Sequence, residues 1–95
     1  MQDNPYIDYS SEKNLLLRQT RGVGFEDVEL AIEEGRLLDV IAHPNNNKYP
    51  SQKIYVVNIN DYVYLVPFVK QSDKVFLKTI FPSRKLTKKY LKKEC

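Results

Sequence analysis

Two apolar runs rich in β-branched and aromatic residues, 53–59 (Lys-Ile-Tyr-Val-Val-Asn-Ile) and 62–66 (Tyr-Val-Tyr-Leu-Val), are separated only by Asn60-Asp61. Residues of that type tolerate the positive φ angles of a two-residue turn, so the runs are expected to pair as an antiparallel hairpin. This constrains the fold more than any other feature, because a lone hairpin is barely stable in water and needs further strands and a covering layer. Pro67 interrupts the second run and marks a bulge or a sheet edge. Gln71-Ser72-Asp73 supplies the next turn, before a strand-like run over 75–81. Residues 37–41 form a short apolar strand, followed by a polar loop over 43–50 that is rich in asparagine and proline. Residues 5–9 alternate and are aromatic, which reads as a short first strand.

Between that strand and the meander the periodicity is helical. Ser10-Ser11 offers an N-cap for a helix from Glu12 to about Thr20, with Leu15, Leu16 and Leu17 expected to supply its buried side. Gly22 can take the left-handed position that ends it. A second helix is expected from Phe25 to Glu34, since Phe25, Val28, Ala31 and Ile32 share one face. Glu26 and Asp27 lie in its first turn, where they complement the helix dipole, and Gly35 stops it. The fold class is therefore α+β: one domain, an antiparallel sheet of about four strands, two N-terminal helices packed on it and a short basic C-terminal helix.

At 95 residues the chain can bury a single core without disulfides. A lone cysteine, Cys95, excludes an intramolecular disulfide and a cysteine zinc cage. No apolar run approaches the roughly 20 residues needed to span a bilayer. The start, Met1-Gln2-Asp3-Asn4-Pro5, has neither the cationic nor the apolar stretch of a secretory signal, so a cytoplasmic location is expected.

Charge is split along the chain. Residues 1–47 hold nine carboxylates against four cations, whereas residues 48–95 hold eleven cations against three carboxylates, and the overall net charge is +3. Six of the twelve residues from Arg84 to Cys95 are Lys or Arg. Leu86, Tyr90 and Leu91 interrupt them at helical spacing, so this segment reads as a basic helix docked on a sheet, suited to a polyanion such as RNA. The alternative is a solvated lysine face with no ligand.

No P-loop, glycine-rich dinucleotide turn or paired-histidine metal motif occurs, so no cofactor and no metal ligands are assigned. What remains is cations and hydroxyls. They suffice in principle for RNA, which carries its own 2′-OH nucleophile and needs its phosphate positioned and its transition-state charge neutralised. His43 is a general acid or base candidate by its pKa range, or a solvated loop residue. Arg84 follows a strand end and could aim its fork at a phosphate, or pair with Glu29 or Glu33. Tyr90 could reach a base or phosphate, or pack in the core. Lys85, Lys88, Lys89 and Lys92 would add affinity rather than chemistry.

Three segments together carry a family resemblance: Tyr9-Ser10-Ser11-Glu12-Lys13, then Arg21-Gly22-Val23-Gly24-Phe25, then Ile80-Phe81-Pro82-Ser83-Arg84-Lys85 leading to Tyr90. In these the chain resembles the BrnT-like type II toxin–antitoxin ribonucleases of the RelE-like fold. Their corresponding segments are Trp-Asp-Pro-x-Lys, His-Gly-Val-Ser-Phe and Ser-Ala-Arg-Lys, the last followed by a basic helix with a late tyrosine. The chain departs from that pattern at Ser10, Ser11, Arg21 and Pro82. The resemblance implies a metal-independent endoribonuclease that cleaves mRNA and is silenced by a cognate antitoxin, usually of ribbon-helix-helix type. Operator DNA would be reached only through that antitoxin. It carries Lys13, Arg84 and Tyr90 over as catalytic residues, with His43 and Lys53 matching approximately, and offers Arg21 and Ser83 as replacements that contact RNA. The rival reading is a non-catalytic RNA- or protein-binding module, and a DNA-binding regulator ranks behind it.

Overall fold

The computed structural model describes residues 6–42, 47–48, 52–71 and 73–91. Its elements are β1 (Tyr6–Asp8), α1 (Ser11–Arg21), α2 (Phe25–Glu33), β2 (Leu37–Ala42), β3 (Gln52–Ile59), β4 (Tyr62–Gln71), β5 (Lys74–Leu77), β6 (Phe81–Pro82) and α3 (Arg84–Tyr90). The α+β class stands, but the sheet is larger than expected and mixed. Its order is β1-β5-β4-β3-β2, with β6 also on β4, and β1 runs parallel to β5. Residue alternation reveals a strand but not its partner, so the return of β1 to the far end of the chain carries no local signal.

The β3–β4 hairpin forms as its sequence requires. Ile59 pairs with Tyr62, and Asn60 and Asp61 take φ values of 56° and 63°. Pro67 lies inside β4, a central strand, and not on an edge. The ladder explains why it is tolerated. Its C=O accepts from the Lys78 N–H, on the side away from β3, and its missing N–H faces that same side. There the expected single strand over 75–81 is broken into β5 and β6, so Pro67 stands opposite the irregularity.

Alternation divides the sheet into two apolar faces. Tyr55, Val57 and Ile59 of β3, Val66 and Phe68 of β4, and Val75 and Leu77 of β5 form one core cluster with Leu17, Val23, Phe25, Val28 and Ala31 from the helices. Phe25, Val28 and Ala31 have no exposed surface, as the spacing predicts. Burial of a Phe or Val side chain contributes about 1.5–3 kcal/mol and holds α2 on this face.

In α1, Ser10 accepts from the Lys13 N–H as N-cap, and Gly22 ends the helix at φ 75°. Only Leu17 is buried; Leu15 and Leu16 are 60% and 50% exposed, against expectation. Successive helical residues turn by about 100°, so three in a row cannot share a face. The contact with α2 is instead polar. Asn14 accepts from the Phe25 N–H and donates to Glu26, which also pairs with Arg18 at 2.8 Å.

The opposite face carries Ile54, Val56 and Val63, the last two fully buried. α3 lies on this side. Ser83 caps it by accepting from the Leu86 N–H, and the Ser83 N–H donates to the Val63 C=O. The Val63 N–H donates to Thr87 Oγ1, whose hydroxyl in turn donates to the Ser83 C=O. Among the described residues no helix is long and apolar enough to cross a membrane.

Thr87→Val keeps the shape of this contact but leaves the buried Val63 N–H without an acceptor. An orphaned buried donor costs about 1–3 kcal/mol, and that loss is expected in urea unfolding with an unchanged m-value. Thr87→Ser should lose less. Equal stability of Thr87→Val and wild type would show that the hydroxyl does not anchor the helix.

Candidate nucleic-acid interface

α3 is too short to persist alone and exists by its tertiary contacts. Thr87 is buried and Leu86, Tyr90 and Leu91 are half-buried, which turns Arg84, Lys85, Lys88 and Lys89 outward as exposed cations. Arg84 and Lys88 are one turn apart and share a side of the helix, as do Lys85 and Lys89. None of the four has a carboxylate partner among the described residues. The ion pairs lie elsewhere: Arg18 with Glu26 and Asp27, Arg36 with Glu34, and Lys74 with Asp8. Arg84 therefore does not pair with Glu29 or Glu33, which belong to α2 on the other face.

Arg84, Lys88 and Thr87 form one wall of a groove of about 390 Å³, and Tyr62, at the start of β4, forms the other. The groove exists because α3 is tied to the β4 edge at Val63, immediately after Tyr62. The Tyr62 ring packs edge-on against Tyr64 two residues along the same strand face, at 5.7 Å and 64°. Nothing in the local sequence marks Tyr62 as a site residue. It becomes one through the long-range docking of α3.

Tyr90 neither enters the core nor points to the groove. Its phenol donates to Asp39 Oδ2 at 3.0 Å. Asp39 is the register partner of Val56, so this bond draws the end of α3 across the sheet to β2. The hydrogen bond to Asp39 is the main cause that raises the Tyr90 pKa above its usual value of 10.0. The protonated phenol is thereby stabilised, which makes it a weaker proton donor to a leaving group. Asn58, across the ladder from Val63, has a buried side-chain oxygen with no hydrogen-bond partner among the described residues.

The remaining site candidates do not join the groove. Lys13 and Arg21 lie on α1, on the opposite side of the sheet. Lys53 is exposed on β3, opposite Phe68 in register and so at the far end of the hairpin from Tyr62, and it does not line the groove. Ser83 is occupied as the α3 cap. His43 and Lys92 lie outside the described residues. The expected catalytic set thus contributes Arg84 to the groove, joined there by Lys88 from the affinity set.

No family model, curated protein or solved structure matches this chain. Function is therefore read from its own residues.

The sign of the Tyr90 shift gives a test. A raised folded-state pKa means that the contact's contribution to stability is fully present below pH 10 and is lost as pH rises through the folded-state value. In ultraviolet difference titration of wild type against Tyr90→Phe, the missing phenol should ionise above pH 10, and Asp39→Asn should bring it down. Ionisation of Tyr90 at or below its ordinary value would show that the pair does not persist in solution.

Proposed function

We propose that the protein is the toxin of a type II toxin–antitoxin pair and acts as a metal-independent endoribonuclease. The single observation that carries this reading is the row of cations on α3, without carboxylate partners among the described residues and held on the central strand beside a groove. A helix so anchored binds a phosphate chain without first paying the ordering cost of a free basic tail. The BrnT-like motif over Ser83, Arg84 and Lys85 points the same way.

The reaction is a transesterification. The 2′-oxygen of a ribose attacks the adjacent phosphorus, a P–O2′ bond forms, the P–O5′ bond breaks, and a 2′,3′-cyclic phosphate remains. Arg84 would hold the non-bridging oxygens with its planar fork and offset the charge that grows on them. Lys88 would hold a neighbouring phosphate. The 2′-OH must lose its proton and the 5′-oxygen must gain one, tasks for His43 or for water. An antitoxin, of ribbon-helix-helix type by the family resemblance, would silence the protein by covering α3 with carboxylates. The cytoplasm, where mRNA is found, is the corresponding location.

One observation favours a second reading, RNA binding without cleavage. Tyr90, the tyrosine that the resemblance makes catalytic, is engaged with Asp39. The two readings differ in the fate of the RNA and not in where it binds.

Induced expression without the antitoxin should arrest bacterial growth and generate new RNA cleavage ends. Arg84→Ala should relieve both, costing catalysis at least about 2 kcal/mol by analogy with the loss of one oxyanion donor. Arg84→Lys should restore it only in part. Arg84 is exposed, so the fold should be intact by circular dichroism. Unimpeded growth at high soluble expression would sink the toxin reading.

A further inference from the structure

We infer that Tyr62 is a stacking platform for a nucleobase of single-stranded RNA, in a subsite where Arg84 and Lys88 hold the flanking phosphates. This rests on the RNA reading above and adds to it a contact to the bases. Among the described residues the groove is lined by one aromatic ring and two cations without carboxylate partners, with Thr87 in the wall they form. That combination matches the two parts of a nucleotide. A π-face accepts any base, and cations one helical turn apart on one side can engage successive phosphates.

The geometry favours a prepared site over a chance hollow. Tyr62 projects from a strand paired in unbroken register to β3, so its backbone is fixed. Its edge-on contact with Tyr64 sets the ring plane before any ligand arrives. The opposite wall is equally fixed, because Thr87 and Ser83 tie α3 to Val63. Little side-chain ordering is left for binding except in the cations themselves. With Arg84 and Lys88 engaged by phosphates and Thr87 Oγ1 by Val63 and Ser83, none of the described lining cations or the threonine is left to read base edges. The groove would therefore hold single-stranded RNA with little sequence preference. A paired helix would be excluded, since its bases are stacked on each other and offer no free face.

The test is fluorescence anisotropy with a labelled 2′-O-methyl oligoadenylate of about twelve nucleotides, which keeps bases and phosphates but lacks the attacking hydroxyl. An abasic chain of equal length and charge is the comparison. Wild type should bind the oligoadenylate about tenfold more tightly than the abasic chain. Tyr62→Leu should remove that preference and leave abasic binding within about twofold, while Tyr62→Phe should keep it. Lys88→Gln should weaken both chains alike and flatten the salt dependence by about one phosphate. Equal wild-type affinity for the two chains would overturn the platform while leaving a charge-only RNA site, which an acidic protein segment could equally occupy. An unchanged preference in Tyr62→Leu would also overturn it. Failure of wild type to bind either chain would remove the RNA reading and the platform with it. Should Tyr62→Leu not fold, the comparison of the two chains on wild type decides alone.

Discussion

The organising contact of this molecule is at Val63. Both of its backbone polar groups point away from β3, and both are met by the segment that starts α3: the C=O by the Ser83 N–H and the N–H by Thr87 Oγ1. A helix thus completes the hydrogen bonding of β4 where a neighbouring strand would otherwise be needed. Buried backbone groups must be paired, so this arrangement fixes the position of α3 more strictly than apolar packing alone could. The groove follows from it. With Thr87 locked inward, helical geometry turns Arg84, Lys85, Lys88 and Lys89 outward and brings the first and third of them against Tyr62.

The same docking separates charge across the sheet. The acids of α2 lie on one face and the cations of α3 on the other. Among those acids Glu29 is half-buried, and burial first, then Glu26 and Glu33, push its pKa up. Adjacent layers stand about 10 Å apart, and the sheet lies between the two helices, so they are separated by about twice the screening length in 0.1 M salt. The acidic helix therefore does little to cancel the field at the groove. An overall net charge of +3 understates what a polyanion meets there.

Much of this fold is legible locally. Asn60-Asp61 announces its turn, Ser10 and Gly22 bound α1, and the spacing of Phe25, Val28 and Ala31 gives the buried face of α2. What is not legible depends on contacts between distant residues. The parallel pairing of Ile7 with Val75 has no sequence signal, nor does the break over residues 78–80 that accommodates Pro67. The site divides in the same way. The basic character of α3 and the N-cap chemistry of Ser83 are readable from the chain. The Tyr62 wall and the Tyr90–Asp39 bond, which spans 51 residues, are not. Residue type made Lys13, Arg21 and Lys53 candidates, but only topology could reveal that they stand away from the groove.

Tyr90 shows how one side chain can be claimed by fold and chemistry at once. Its bond to Asp39 carries the C-terminal end of α3 over Val56 toward β2, so the residue helps keep the cationic wall in place. On the proposed RNA reading, a tyrosine held in this way would act only through the position it gives Arg84 and Lys88. General acid–base catalysis typically contributes about 10²- to 10⁴-fold, whereas positioning and charge neutralisation supply most of the remaining acceleration. A ribonuclease that keeps its tyrosine for architecture would retain the larger share of its catalytic apparatus in the groove. It would then depend on His43 or solvent for the smaller one. On the proposed reading the Asp39 contact would not oppose an RNA-cleaving role; it would move the burden of proton transfer off α3 and leave that helix to bind and polarise phosphate.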